Sequence, residues 1–158
     1  MSISDKTISW WRTNFSNEDI EKVSDSIRNE HISMGLVTEE FEQQLAEALG
    51  VPYVVATTSG SMALLMALMS LDIKAGDEVI IPNRTWIATA HAPMMLGAKP
   101  VLVDVLPDRP IMNTSKIRGK ITSRTKAIMP VQLNGRSVEM EKVWKVAKEY
   151  DLAVVEDS

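Results

Sequence analysis

Short apolar runs alternate with helical patterns along the chain from about residue 51 onward. The runs lack polar alternation, which is typical of strands that are buried on both faces of a parallel sheet. Strands that alternate with helices predict repeated strand–helix–strand units. The predicted strands cover residues 53–57, 78–81, 101–105, 126–131 and 152–155, and the predicted helices cover 61–71, 85–96, 114–121 and 137–150.

The first fifty residues carry two helical patterns and no strand pattern. Ser16 followed by Asp19 is a capping-box pattern, which predicts a helix that runs to about Asn29. A second helix is predicted to be capped by Thr38 and to end at Gly50. This part of the chain is therefore predicted to be a helical N-terminal segment.

The chain of 158 residues is long enough for one domain with a real core. The pattern predicts an α/β fold with a mostly parallel sheet and helices on both faces, in which residues 1–50 are helical and residues 51–158 form the βα repeats. The last predicted strand ends at Val155 with almost nothing after it, whereas domain boundaries usually fall in exposed polar linkers. We therefore expect the fold to be incomplete at its C-terminus.

Composition and charge exclude several classes of protein. A net charge of −4 and the lack of a basic stripe argue against nucleic-acid binding. The chain has no cysteine, which excludes disulfides, thiolate metal sites and a cysteine nucleophile. His31 and His91 lack the spacing of metal ligands, so no metal is predicted and both are interpreted as structural. No signal-peptide pattern or membrane-length apolar run is present, so we expect a cytoplasmic protein.

Three groups that follow predicted strands are candidates for chemistry. A polar turn, Thr58 to Ser61, opens an apolar helix and suits a phosphate, although Ser59 could simply cap that helix. Trp86 could cover a flat ligand, but a tryptophan often fills a core or a subunit interface. Asp157 could hold a protonated ring nitrogen, cap a following helix or bind a metal.

Other residues are open to a purely structural interpretation. Met62, Met66 and Met69 lie at helical spacing and are most simply explained by core or interface packing. The polar segment that begins at Gln132 is compatible with a ligand crevice and equally with a turn. Together, the phosphate cradle, the aromatic side chain and the acid match the layout that pyridoxal phosphate enzymes require.

The residues of these segments resemble the DegT/DnrJ/EryC1/StrS family of sugar aminotransferases. The resemblance runs from about Gly35 to the last residue. It is carried by the ordered stretches at residues 58–64, 76–82, 85–90, 97–101, 103–105, 125–131 and 155–158.

The resemblance implies a role for each candidate residue. Gly60 and Ser61 match the positions that bind the cofactor phosphate, with Ser61 standing where the family commonly has threonine. Trp86 matches the aromatic residue that stacks on the pyridine ring, and Asp157 matches the acid that pairs with the ring nitrogen. Gln132 departs from the pattern, because many members carry histidine there.

The resemblance also implies the fold and the activity. The fold would be that of the large domain of fold-type I pyridoxal phosphate-dependent transferases. The complete enzyme would be a homodimer that moves an amino group, typically from glutamate, to a nucleotide-linked keto sugar. The lysine that holds the cofactor covalently would lie beyond Ser158, so residues 1–158 alone should be inactive.

Two alternatives remain open from the sequence. Related sugar dehydratases use the same cofactor but replace the lysine with histidine. A non-catalytic remnant that serves in binding or assembly is the other alternative.

Overall fold

The computed structural model describes residues 12–158, and these residues form two compact units. The first unit ends at Ala56 and the second extends from Thr57 to Ser158. Each unit is described by itself below. Within residues 12–158, no helix combines the length and the apolar character needed to cross a membrane.

The first unit contains helix α1 (Asn17–Arg28) and helix α2 (Leu36–Leu49). The predicted capping box of α1 is confirmed, because the Asp19 N–H donates to Ser16 Oγ at 3.2 Å and the Ser16 N–H donates to Asp19 Oδ2 at 2.7 Å. The predicted cap of α2 at Thr38 is wrong. The helix begins at Leu36, its N-cap position is Gly35, three residues before Thr38, and no side chain caps it. Gly50 ends α2 in the left-handed conformation, as predicted, with φ at +65°.

The strand predicted at residues 53–57 is absent, and this prediction is wrong. The backbone N–H of Ala56 donates to Glu42 Oε1 at 2.7 Å instead of entering a ladder. Tyr53 is 86% exposed. A strand requires a neighbouring strand to satisfy its backbone groups, and an apolar run in the sequence carries no information about whether that neighbour is present.

The second unit contains four strands and three α-helices. The strands are β1 (Glu78–Pro82), β2 (Lys99–Val103), β3 (Thr125–Ile128) and β4 (Ala153–Val154), and the helices are α3 (Gly60–Ser70), α4 (Ala88–Met95) and α5 (Met140–Tyr150). The helix predicted at 114–121 is wrong, since two short 3₁₀ turns, Thr114–Lys116 and Arg118–Lys120, occupy that segment. There, Asn113 Oδ1 accepts from the Ser115 backbone N–H at 3.2 Å, and side chains of this type compete with regular helix bonding.

All strand pairs in the sheet are parallel, in the order β2-β1-β3-β4. The chain passes from β1 outward to β2 and then returns to the other side of β1 to form β3. The direction of winding therefore reverses between β1 and β3. In open parallel sheets, ligands bind in the crevice outside the carboxyl ends of the strands at such a switch point.

Helices cover both faces of the sheet, as predicted. Val79 and Ile81 of β1 pack in one apolar cluster with residues of α3 and α4. Ile80, between them, packs in a second cluster with Val143 and Val146 of α5. This alternation is the reason why β1 is apolar at successive positions instead of every second one.

A buried carboxylate anchors the amino edge of the sheet. Glu78 is only 2% exposed, and its oxygens accept hydrogen bonds from Thr122 Oγ1 at 2.6 Å and from Arg124 Nη2 at 2.9 Å. The hydrogen bond from Thr122, followed by that from Arg124, lowers the pKa of Glu78 from its ordinary value of 4.5.

Replacing this carboxylate is expected to destabilise the fold in a pH-dependent manner. Glu78→Gln should lower the free energy of unfolding at pH 7 by about 1.5–3 kcal/mol, the range for hydrogen bonds to a charged group. Because the folded pKa lies below 4.5, the stabilisation by the wild-type carboxylate is complete above that pH. It is lost as the pH falls through the folded pKa.

Urea unfolding of the full chain at pH 7 and at acidic pH measures this effect. The difference between the wild type and Glu78→Gln should shrink in acid, while Glu141→Gln, at an exposed position of α5, should cost little at either pH. A difference that stays constant with pH would show that the charge of Glu78 is not the cause.

Candidate active site

The amino ends of helices α3 and α4 lie at the carboxyl edge of the sheet. Helix α4 follows the carboxyl end of β1. At the opposite ends of the helices, the Gly76 N–H donates to the Gly97 carbonyl at 3.4 Å, and a Cβ on Gly97 would lie 3.0 Å from that of Ala75. Gly76 follows α3 and Gly97 follows α4, so both helices end together near the start of a strand. Their amino ends therefore face the same edge as the carboxyl end of β4.

The amino end of α3 combines a capping side chain with free backbone donors. Ser59 Oγ accepts from the Met62 N–H at 3.3 Å, so the capping interpretation of Ser59 is correct. The N–H groups of Gly60 and Ser61 come earlier in the first turn and have no recorded acceptor among residues 12–158. A Cβ built on Gly60 meets nothing within 4 Å, so the space beside the first residue of the helix is open. The cap and a phosphate cradle are therefore compatible.

Trp86 lies on the surface of the second unit. The helix predicted at 85–96 is α4, which begins only at Ala88, so Trp86 lies in the connection from β1 and not in the first helical turn. Its side chain is 75% exposed, which excludes the core interpretation within the described part of the chain. An exposed indole at this edge can stack on a planar ligand.

The main chain of Asp157 is fixed on both sides by strand-type hydrogen bonds. Its N–H donates to the Pro130 carbonyl at 3.0 Å, and its carbonyl accepts from the Gln132 N–H at 2.9 Å. Asp157 and Val131 form a parallel bridge that extends the pairing of β3 with β4. The carboxylate is therefore held, by its backbone, at the carboxyl edge of the sheet.

Thr89, which the sequence analysis did not single out, contacts the Asp157 carboxylate. Its Oγ1 donates to Asp157 Oδ2 at 2.7 Å and lies 2.9 Å from Thr85 Oγ1. This contact joins the first turn of α4 to the end of β4. The available signal was the pair of threonines at i and i+4 in a predicted helix. The sequence could not show that β4 ends beside them.

Gln132 is already committed to bonds within this unit. Its Nε2 donates to Glu156 Oε1 at 2.6 Å, and its own Oε1 accepts from the Val138 N–H at 2.7 Å. The segment after β3 is thus a turn that Gln132 stabilises, which agrees with the turn interpretation of this segment.

The other candidates have simple placements. Met62, Met66 and Met69 are all exposed on α3, so the core interpretation of these methionines is wrong. His31 and His91 are also exposed. Within residues 12–158, no three histidine, aspartate or glutamate side chains group in a way that could hold a metal ion.

The donor set at this edge fits pyridoxal phosphate. A phosphate needs hydrogen-bond donors, which the first turn of α3 supplies, and a pyridine ring needs an aromatic face and an anionic acceptor for its nitrogen. Trp86 offers the face. Asp157 offers the acceptor, since the recorded side-chain hydrogen bond from Thr89 engages Oδ2 only.

Comparison with known proteins places these residues in a family. The model of the DegT/DnrJ/EryC1/StrS aminotransferase family matches residues 13–158. The chain is 42% identical over 126 residues to GDP-perosamine synthase of Caulobacter vibrioides, a match that covers 80% of this chain and 34% of the relative. It is 37% identical over 141 residues to the uncharacterised protein MJ1066 of Methanocaldococcus jannaschii, covering 89% of this chain and 36% of that protein.

Solved structures show the same similarity. DesV of S. venezuelae, in complex with a ketimine intermediate, matches with a TM-score of 0.82 and 34% identity, over 89% of this chain and 39% of its own. Spr1654 of Streptococcus pneumoniae, described as a sugar aminotransferase and solved in its PMP form, matches with a TM-score of 0.90 and 30% identity, over 96% of this chain and 42% of its own. The PLP form of the same protein also matches.

The chain spans about a third of the length of the curated relatives that it matches. The similarity nevertheless extends over most of the chain, and the fold is that of the fold-type I neighbours. The resemblance seen in the sequence is thereby confirmed, and the chain belongs to the DegT/DnrJ/EryC1/StrS aminotransferase family.

Proposed function

We propose that residues 1–158 form the N-terminal portion of the cofactor-binding large domain of a pyridoxal phosphate-dependent aminotransferase. The reaction transfers an amino group, with glutamate as the donor, to a nucleotide-linked keto sugar. The enzyme acts in the cytoplasm as a homodimer. The observation that carries the proposal is the position of Asp157, whose carboxylate is held at the carboxyl edge of the sheet beside the connection that contains Trp86.

Each assigned residue has one task in this proposal. The N–H groups of Gly60 and Ser61, with the Ser61 hydroxyl, bind the phosphate at the positive end of the α3 dipole. Trp86 lies over one face of the ring and excludes water from it. Asp157 holds a proton on the ring nitrogen by a charge-assisted hydrogen bond. When bound, pyridoxal 5'-phosphate supplies an electron sink for negative charge that develops on the substrate.

The choice of substrate class is supported by what the relatives are called. GDP-perosamine synthase is named for a nucleotide-linked amino sugar, and the structural neighbour Spr1654 is described as a sugar aminotransferase. NtdA of Bacillus subtilis, which is 34% identical to this chain over the matched region, was solved with bound PMP. Its structure supports the proposal that the cofactor carries the amino group during the reaction.

Assay of the full chain, as its gene encodes it, tests the proposal directly. The protein is incubated with pyridoxal phosphate, glutamate and a panel of GDP-, UDP- and dTDP-linked keto sugars, and formation of 2-oxoglutarate is measured. With the cofactor present, glutamate alone should give at most one equivalent of 2-oxoglutarate per active site, and we expect continued formation only when a keto sugar is present to accept the amino group. Loss of a sugar hydroxyl without transfer of an amino group to the sugar would instead identify a dehydratase.

The gene sequence beyond the Ser158 codon separates the same possibilities. A lysine at the position expected to hold the cofactor supports the aminotransferase, and a histidine there supports the dehydratase. A stop codon directly after Ser158 would contradict catalysis by this chain and favour a binding or remnant role.

A further inference from the structure

Thr89 lies fully buried in the first turn of α4, facing the segment that follows β4. Its side chain is 0% exposed, and its hydroxyl lies within hydrogen-bond distance of two other side chains. Its partner Asp157 is 68 residues away in sequence. A contact of this kind is tertiary, so it depends on the assembled sheet and not on the local conformation of the helix.

The direction of the two hydrogen bonds is fixed by proton counting. A threonine hydroxyl carries one hydrogen. The carboxylate of Asp157 can only accept, so the hydrogen of Thr89 is committed to Asp157 Oδ2. Thr85 Oγ1 must then be the donor in its bond to Thr89 Oγ1. The result is a one-way chain of donors from Thr85 through Thr89 to Asp157.

The bonding of Thr89 differs from that of an ordinary helical threonine. A buried threonine in a helix can satisfy its hydroxyl locally by donating to a backbone carbonyl in the preceding turn. Ser24, on α1, does so by donating to the Ile20 carbonyl at 2.8 Å. Thr89 instead donates to the carboxylate, and Thr85, in the connection before α4, donates to Thr89.

From this geometry, and resting on the proposed function, we propose that Thr89 is a positioning residue for the Asp157 carboxylate. The backbone of Asp157 is already fixed by Pro130 and Gln132, so only its side-chain torsions remain free. The bond from Thr89 holds Oδ2 and thereby sets the direction in which Oδ1 faces. A carboxylate held in one orientation loses no further rotational freedom when it binds the ring nitrogen.

The same residue links the acid to the aromatic side chain. The backbone N–H of Thr89 donates to the Trp86 carbonyl at 3.2 Å, which ties Thr89 to the connection that presents the indole. One buried residue therefore contacts the carboxylate through its side chain and the connection that carries the indole through its backbone. Loss of its hydroxyl should affect the ring nitrogen more than the phosphate contacts at α3.

A pair of substitutions separates the hydroxyl from the shape of the side chain. Thr89→Val keeps the shape and removes the donor, whereas Thr89→Ser keeps the donor and removes a methyl group. If Thr89 acts only by packing, valine should be tolerated and serine should be the worse variant. If Thr89 positions Asp157, the order is reversed. Thr114→Val, at another buried threonine whose hydroxyl has only a 3.5 Å contact to Glu139, is the matched control.

The measurements use the full chain and pyridoxal phosphate labelled with ¹⁵N in the ring. The nitrogen chemical shift reports whether the bound ring is protonated, and fluorescence titration gives the Kd of the cofactor. For Thr89→Val we expect about a tenfold rise in Kd, the lower end for a lost hydrogen bond to a charged group, together with a shift toward the unprotonated signal. Thr89→Ser and Thr114→Val should retain the wild-type signal.

Each outcome decides the proposal. A protonated signal and an unchanged Kd in Thr89→Val would overturn the positioning role and leave the proposed function intact. Failure of the wild type to bind pyridoxal phosphate would overturn both. If Thr89→Val does not fold, Thr89→Ala and Thr89→Ser are compared instead. They differ by the hydroxyl alone, and equal nitrogen signals in the two would contradict the proposal.

Discussion

Replacement of Asp157 by asparagine is expected to lower the kcat of the full chain by roughly 10²–10³-fold, the range for loss of one electrostatic group at a reacting centre. Asparagine keeps the size of the side chain and its carbonyl oxygen can still accept from Thr89. It cannot hold a proton on the ring nitrogen, because it carries no negative charge. The effect should therefore fall on the chemical step more than on folding.

The measurement is steady-state kinetics with glutamate and the keto sugar, with the thermal unfolding midpoint recorded in parallel. Glu156→Gln is the matched control, because it makes the same chemical change one residue away, on an exposed carboxylate that bonds Gln132 at 2.6 Å. We expect the control to retain wild-type kcat within about twofold, as is usual for surface substitutions. Equal losses in the two variants would show that the charge at Asp157 has no special role.

If the charge of Asp157 is what matters, removing the charge and removing the residue that orients it should lower kcat to different extents. Asp157→Asn should lower kcat even when the cofactor is saturating, since the carboxylate acts in the chemical step. Thr89→Val should retain more activity than Asp157→Asn, because the carboxylate is still present although its orientation is no longer fixed.

The parallel sheet could be predicted from the sequence because its strands are apolar at successive positions. Val79, Ile80 and Ile81 are all buried, and they pack alternately on the two faces. Local patterns of this kind depend on the residue types alone. The capping box at Ser16 and the left-handed end of α2 at Gly50 were predictable for the same reason.

The two wrong element predictions have different causes. Residues 53–57 have an apolar strand pattern, but Glu42 accepts from the Ala56 N–H and no ladder forms. The segment after Asn113 is divided into two 3₁₀ turns, in which a side chain competes with helix bonding. The sequence gives no direct sign that Glu42 contacts Ala56, whereas Asn113 lies directly before the second segment and its competition with helix bonding is a local effect.

The candidate site likewise combines residues that the sequence reveals with a contact that it does not. The polar groups at Ser59 to Ser61 and at Asp157 follow or precede recognisable elements, so each could be found singly. The contact between Thr89 and Asp157 depends on the strand order β2-β1-β3-β4, which brings the end of β4 near α4. Strand order is a property of the whole sheet, and the hydrophobic pattern does not encode it.

Ile80→Ala is expected to lower the free energy of unfolding by roughly 2–5 kcal/mol, the range for truncating a large buried aliphatic side chain. Ile80 is fully buried on β1, an interior strand of the sheet, and packs between that strand and α5. Its removal leaves a cavity that flanking strands on both sides prevent from closing. The stability should be measured by urea denaturation of the full chain, with kcat recorded under native conditions.

Leu102→Ala is the control, because Leu102 lies on the edge strand β2 and is 54% exposed. We expect it to cost less than about 1 kcal/mol, since much of its surface is in contact with water already. The folded fraction of Ile80→Ala should retain its cofactor affinity, because Ile80 belongs to the cluster on the face opposite α3 and α4. A similar cost for both substitutions would contradict the burial that makes β1 the centre of this fold. A loss of cofactor affinity without a loss of stability would place Ile80 in the site instead of beneath it.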